Sequence, residues 1–277
     1  MPELPEAETM ARDLNQRVAG FTISQVLLAF EKIVASDLKN FEKTLVGHQI
    51  TKVARLGKWI KFELDSGGAL LAHLKMTGQF IMGDWPGHLS GQWPAHTRAA
   101  FLLTDGNSQQ TLFYRDIRKF GRLRAFPQDE LLSFLSQLGL GPDPLELKPE
   151  EFHQLVSIKK ARLKQVLLDQ SLVAGLGNIY VDESLFAAGL SPYRLATTLT
   201  ADEASLLLSH IKRVLNESIA HRGSTVENYR GLEGPGSFQD QHLVYGKHGQ
   251  NCPKCGQALA KARVGGRGTT YCPICQK

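Results

Sequence analysis

The four cysteines constrain this chain most. All lie in the last 26 residues, as Cys252-x2-Cys255, sixteen intervening residues, then Cys272-x2-Cys275. Two such pairs at that separation match a tetrahedral four-thiolate zinc site, each pair presenting two sulfurs from a tight turn. The metal substitutes for a core that so short a segment cannot build. Four thiolates leave no coordination position open for water, so one zinc ion with a structural role is expected. Disulfides would use the same residues. The chain opens on acids rather than a basic leader, so a cytoplasmic location is expected, where thiols stay reduced. No apolar run approaches the roughly 20 residues that span a bilayer, so no membrane partner is expected.

The same tail carries Lys254, Lys261, Arg263, Arg267 and Lys277 and no acid. A one-sign tail is a solvated or nucleic-acid-facing surface. The whole chain has a net charge of +5 and a pI near 9.0, which suits a polyanionic partner without identifying one.

Upstream, the pattern changes twice. In residues 5–19, Ala7, Met10, Ala11, Leu14 and Val18 recur at helical spacing, with Pro5 in the first turn and Gly20 as a stop. From about 21 to 126 the apolar runs are short and alternating, broken by Gly, Asp and Asn. The stretch "DSGG" reads as a hairpin turn, and the region as a β-sandwich. "GLGPDPLEL" starts a linker. Helical patterns follow in "PEEFHQLVS", "KKARLKQVLLDQ", "NIYVDESLFAAG" and "TADEASLLLSHIKRVLNESIAH". The last opens on a capping box, Thr200 with Glu203. The division expected is an N-terminal sandwich domain over 1–133, a linker over 134–147, a helical domain over 148–235 and a zinc finger over 236–277. The fold class is α+β, multidomain.

Several stretches could carry chemistry. "GLGN" (175–178) precedes a helix, where backbone N–H groups bind phosphate; Asn178 could equally be a helix cap. "YRDIRKFGRLR" packs Arg115, Arg118, Lys119, Arg122 and Arg124 around Tyr114 and Phe120. Such interleaving suits a surface that neutralises phosphates and wedges into a base stack; it also suits a solvated strand. Met76 in "HLKMTG" and Lys58 in "RLGKWI" gain meaning only if other residues converge on them.

Together these segments resemble the formamidopyrimidine-DNA glycosylase family, a bacterial base-excision repair group. The resemblance rests on "MPELPEAE", "RLGKWI", "HLKMTG", "DIRKFG", "GLGNIYVDESLFAAGLSP", "QHLVYGKHG" and the closing cysteine pairs with "GRGTTYCPICQK", in that order along nearly the whole chain. It implies a β-sandwich with flanking helices, then a helical domain with a helix–two-turns–helix motif and a zinc-finger β-hairpin. The implied activity is that of a bifunctional DNA glycosylase and AP lyase. Such an enzyme excises oxidised purines, chiefly 8-oxoguanine and formamidopyrimidines, through a Schiff base at the N-terminal proline, then cleaves the strand by β,δ-elimination. Its partner is double-stranded DNA containing oxidised purines, bound by a monomer.

Carried over residue by residue, the resemblance makes Pro2 the nucleophile once Met1 is removed, and Glu3 the acid/base at the sugar. Lys58 contacts phosphates and assists elimination. Arg267 clamps the phosphate beside the lesion. Glu6 supports the terminus. Met76, Arg118 and Phe120 fill the gap left by the flipped base; His96, Lys160 and Asn178 contact the DNA backbone, and Lys164 lies on the lesion side. Cys252, Cys255, Cys272 and Cys275 hold the zinc. Leu4 after the Pro-Glu pair favours this branch over the endonuclease VIII branch for oxidised pyrimidines. The other reading is a non-catalytic, zinc-stabilised DNA-binding protein. "AHTR" (95–98), Thr77 and the loop "YRGLEGPGSFQ" depart from the family pattern, which bears on lesion preference.

Overall fold

The structure is a computed structural model. It describes residues 1–84, 93–226 and 229–277. The chain divides into two compact units. One comprises Met1–Leu138 with Arg222–Gly236, and the other Gly139–His221 with Ser237–Lys277.

The first unit opens with helix α1 (Leu4–Val18) and strand β1 (Thr22–Leu28), followed by helix α2 (Leu38–Leu45). Strands β2 (Ile50–Leu56), β3 (Trp59–Leu64), β4 (Ala69–His73), β5 (Gly78–Asp84), β6 (Thr97–Thr104), β7 (Gln109–Asp116) and β8 (Arg122–Phe126) come next, then helix α3 (Gln128–Leu138). The strands form two four-stranded antiparallel sheets, β1-β6-β7-β5 and β2-β3-β4-β8. The expected sandwich is therefore present, and "DSGG" is the turn between β3 and β4.

Met10, Leu14 and Val18 of α1, Phe41 and Leu45 of α2, and Phe62, Leu70, Phe80 and Phe101 of the sheets share one core. Burying each such side chain contributes about 1.5–3 kcal/mol. Strand β4 is buried at all five positions. Leu70 and Ala72 face that core, while Ala69 and Leu71 face a second cluster with Leu131, Phe134 and Leu135 of α3.

Helices α2 and α3 interrupt the stretch read as strand and linker. Asp37 caps α2 by accepting the Asn40 N–H at 3.0 Å. Residues 134–138, read as linker, are the end of α3.

The second unit contains helices α4 (Pro149–Ser157), α5 (Leu163–Leu168), α6 (Asn178–Ala188) and α7 (Ala201–Ala220), then hairpin β9 (Ala260–Val264) and β10 (Arg267–Tyr271). Residues Ile179 to Phe186 of α6 are all buried, as suits a helix enclosed on every side. It ends on Gly189 at φ +72°, the left-handed stop that glycine adopts without strain. Thr200 and Glu203 form the expected capping box on α7. Glu183 of α6 accepts the backbone N–H groups of Leu243, Val244 and Tyr245 at 2.8, 2.9 and 2.7 Å, which anchors the "QHLVYG" segment. No helix among the described residues is long and apolar enough to cross a membrane.

Candidate functional site: a pinned chain end, a wedge of turns and a thiolate finger

Glu3 occupies the N-cap position of α1, and Pro5 lies in its first turn. Pro2 and Glu3 are buried, whereas Met1 is 38% exposed. Glu6 organises this end. Its Oε2 accepts the Glu3 N–H at 2.8 Å, and its Oε1 accepts the Ser224 N–H at 2.7 Å. Tyr229 adds a hydroxyl donated to the Glu6 carbonyl at 2.9 Å. Two charge-assisted bonds to one buried carboxylate fix the first turn in space. Gly223, at φ +81°, leaves room for it: a Cβ there would lie 2.8 Å from Glu6 Oε1.

Lys58 sits in the two-residue turn joining β2 to β3, where Leu56 pairs with Trp59. Arg55, at the end of β2, donates to Glu8 of α1 at 2.8 Å, and both side chains are largely buried. That ion pair ties the strand end bearing Lys58 to the helix start bearing Pro2 and Glu3. Burial opposes the Glu8 charge, but Arg55 and Arg12 outweigh it and hold the carboxyl below its usual range. His73, which pairs with Trp59 across the sheet, is driven down to about 3 by burial and by the charges of Lys75 and Lys58. It stays neutral, and its Nδ1 accepts the Lys75 N–H at 3.0 Å.

Met76, His96, Arg118 and Phe120 lie in three turns of the first unit. His96, Arg118 and Phe120 are exposed, and Met76 is half-buried. The Arg118 guanidinium lies 4.7 Å from the centre of the Phe120 ring. Exposed aromatic surface under a cation is a form suited to meeting stacked bases.

In the second unit, Gly265 and Gly266, at φ +58° and +76°, make the two-residue turn of the β9–β10 hairpin. Positive φ at both positions is the type I′ requirement. It places exposed Arg267 first on the returning strand. The Gly268 carbonyl beside it accepts Lys164 Nζ at 3.0 Å and Asn178 Nδ2 at 2.9 Å. Lys164 is fully buried and pairs with Asp182 at 2.6 Å, and Asp182 also accepts the Thr270 N–H at 3.2 Å. So Lys164, read as a lesion-side residue, has its ammonium enclosed by α6 and the finger. Asn178 makes no cap; Gly177 holds the N-cap position, and the amide reaches the finger instead. Lys160 is exposed just before α5.

The four cysteine sulfurs all lie within 4.8 Å of one another, with Cys252–Cys275 at 3.9 Å and Cys255–Cys272 at 3.5 Å. Sulfurs about 2.3 Å from a tetrahedral zinc stand about 3.8 Å apart, so the set fits the ion. The N–H groups of Lys254 and Cys275 point to Cys252 Sγ and Cys272 Sγ, each at 3.4 Å. Such donors stabilise thiolates in a second coordination layer.

Three family models match the chain in order. They are the Formamidopyrimidine-DNA glycosylase N-terminal domain over residues 1–123, the Formamidopyrimidine-DNA glycosylase H2TH domain over 138–230, and the zinc finger found in FPG and IleRS over 249–277. The chain belongs to the formamidopyrimidine-DNA glycosylase family. Curated formamidopyrimidine-DNA glycosylases of Bacillus cereus and Bacillus anthracis are each 40% identical over 281 residues, covering 100% of this chain and 99% of the relative. That of Pelotomaculum thermopropionicum is 41% identical over 283 residues, with the same coverage. Among solved structures, Lactococcus lactis Fpg with abasic-site DNA is 33% identical, with a TM-score of 0.89 and 99% of each chain covered. A structure of MutM with carbocyclic 8-oxo-G DNA matches at 33% identity and a TM-score of 0.89, over 100% of each chain. The finger, with its four clustered cysteines, is the site of one structural zinc ion in this family member.

The sequence motifs of the glycosylase family did not point to Ser224, Asp116 or Asp182. The two acids carried one available signal each: Asp116 is the lone acid within a basic run, and Asp182 lies on a helix that is otherwise mostly apolar.

Proposed function

We propose that this family member is the oxidised-purine DNA glycosylase and AP lyase of bacterial base-excision repair, acting from the cytoplasm as a monomer whose single chain carries every required residue. The observation that carries the reading is the pinned first turn, where Glu6 holds the backbone N–H of Glu3.

With Met1 attached, the Pro2 nitrogen is an amide and has no basic lone pair. Removal of Met1 frees a secondary amine. An α-amino group has a pKa near 7.7–8.0, so a usable neutral fraction exists around pH 7. Its lone pair attacks C1′ and the damaged base leaves with the bonding electrons of the glycosidic bond. The departing base takes up the proton that the attacking amine sheds; Glu3, protonated, donates to the ring oxygen as the sugar opens, and the freed nitrogen lone pair forms an iminium. A secondary amine gives a cationic iminium without further protonation, so the C2′ proton is acidified. Loss of that proton expels the 3′ phosphate, and a second elimination releases the 5′ phosphate. Lys58 and Arg267 are assigned to those phosphates.

The target base must leave the stack first, at a cost of a few kcal/mol. Met76, Arg118 and Phe120 offset part of this by filling the vacancy. His96, Lys160 and Asn178 serve the DNA backbone, Asn178 with its amide group already engaged on the finger. Lys164 acts through the finger, by holding the Gly268 carbonyl next to Arg267. The zinc supplies no chemistry to the reaction; its ligands shape the hairpin that carries Arg267.

The test is cleavage of duplexes with 8-oxoguanine opposite cytosine against duplexes with thymine glycol. Preferred cleavage of the former is expected. Steady cleavage of thymine glycol alone would move the protein to oxidised pyrimidines, and binding without cleavage of either would make it a non-catalytic DNA-binding protein.

A further inference from the structure

We propose that Asp116 is a positioning residue that holds three DNA-facing turns in one register, so that the wedge enters the duplex as a unit. The proposal rests on the reading of Met76, Arg118 and Phe120 as that wedge.

Asp116 ends β7 and is fully buried. Its carboxylate faces two of the turns. Oδ1 accepts the hydroxyl of Thr77, the residue after Met76, and the N–H of Arg118 at 3.2 Å. Oδ2 accepts the N–H of Gly121 at 2.7 Å, so the carboxylate spans both ends of the turn carrying Phe120. Thr77 Oγ1 also accepts the Arg118 N–H, at 3.0 Å. The main chain of Asp116 faces the third turn. Its N–H donates to the His96 carbonyl at 3.0 Å, and its carbonyl accepts Arg98 Nε at 2.8 Å.

Each of the three turns contains a side-chain-bearing residue at positive φ: Lys75 at 51°, His96 at 67° and Lys119 at 59°. L-residues disfavour this region, and such backbone persists where its surroundings over-determine it. Two glycines admit the hub. A Cβ on Gly121 would stand 1.9 Å from the Tyr114 hydroxyl and 3.0 Å from Asp116 Oδ2; one on Gly78 would stand 2.3 Å from that hydroxyl. A carboxylate buried to answer backbone N–H groups of a turn, with the turn's side chains exposed, serves the placement of those side chains.

The test uses full-length, zinc-loaded, Met1-processed protein and two substrates. One is an 8-oxoguanine:C duplex, which requires extrusion and filling of the stack. The other is a single-stranded oligonucleotide with a preformed abasic site, which has no base to extrude and no stack to fill. Asp116→Asn keeps the size but replaces one acceptor oxygen with a donor. Excision from the duplex is expected to fall about tenfold to a hundredfold, the effect of losing one charge-assisted hydrogen bond. Borohydride trapping on the single strand is expected to stay as in the wild type. Thr77→Val, a milder change, is expected to act in the same direction, and Thr77→Ser to restore excision. Equal loss on both substrates would make Asp116 a general structural residue and overturn the proposal, as would unchanged excision. Failure of the wild type to trap on either substrate would instead count against the proposed function.

Discussion

Glu6 Oε2 accepts the backbone N–H of Glu3 at 2.8 Å, while its other oxygen accepts the N–H of Ser224, a residue 218 positions away in sequence. The helix start that ordinary capping would explain is thereby tied to a distant loop of the same unit. A terminal nucleophile needs such restraint, because an unrestrained chain end samples many positions.

Glu6→Ala should therefore cost both stability and rate. Two buried N–H donors lose their acceptor, at about 1–3 kcal/mol each. Urea denaturation checks the first effect. Single-turnover strand cleavage checks the second, and it should fall more than folding alone accounts for at temperatures where the variant is fully native.

The stability contributed by His73 and His242 should decline as pH falls from about 6.5. His73 is held at about 3 and His242 at about 4, each mainly by burial, with nearby lysine charges adding to the effect. Both values lie below the ordinary imidazole range, so in this window the unfolded chain binds protons that the folded chain does not. Their contribution is then full above about 6.5 and is lost on acidification, by up to about 1.4 kcal/mol per pH unit per histidine. Denaturation midpoints of wild type and His73→Gln between pH 7 and 5 check this; the variant should show the shallower slope.

Much of this was legible in the sequence, for reasons that also mark where legibility ends. Helix α1, helix α7 and the β3–β4 turn have local causes: apolar spacing, a capping box, a "DSGG" turn. The thiolate set is equally local. Helix α3 had a signal, since Leu131, Phe134 and Leu135 stand at helical spacing, but the Pro- and Gly-rich stretch after it drew the reading toward a linker. Asp116 and Asp182 stand out in the sequence only as acids in basic and apolar surroundings, and their roles are not local. Their partners Thr77 and Lys164 are brought to them by strand pairing and helix packing, which no short window contains. Asn178 was ambiguous for the same reason: only the finger shows which of its two uses the amide serves.

Lys164→Ala should be among the most damaging single changes in the second unit. It leaves the Asp182 carboxylate buried without its cation, at about 3–5 kcal/mol. The paired change Lys164→Met with Asp182→Leu should recover part of that stability, because an apolar pair often replaces a buried ion pair well, while the Thr270 N–H loses its acceptor. Strand cleavage should remain low in the paired variant, since the Gly268 carbonyl beside Arg267 has lost the Lys164 donor and keeps the Asn178 amide. Thermal melts with cleavage assays separate the two effects.

Removing zinc with a chelator should release the finger. The finger packs through a small cluster of Val244, Leu259, Cys252 and Cys272 with Phe186 of α6, so the metal supplies much of its folding energy. DNA affinity and cleavage should both collapse. The strand signature of the two large sheets in the first unit should remain in far-ultraviolet circular dichroism, and zinc should restore activity.

In the proposed mechanism the first working atom is the Pro2 nitrogen. Borohydride reduction during reaction with an 8-oxoguanine duplex tests it most directly, with the adduct mapped by mass spectrometry. A covalent protein–DNA adduct is expected on Pro2 of the Met1-processed chain, and none on chain that keeps Met1. An adduct on a lysine, or no adduct from folded, zinc-loaded, processed protein, would contradict it.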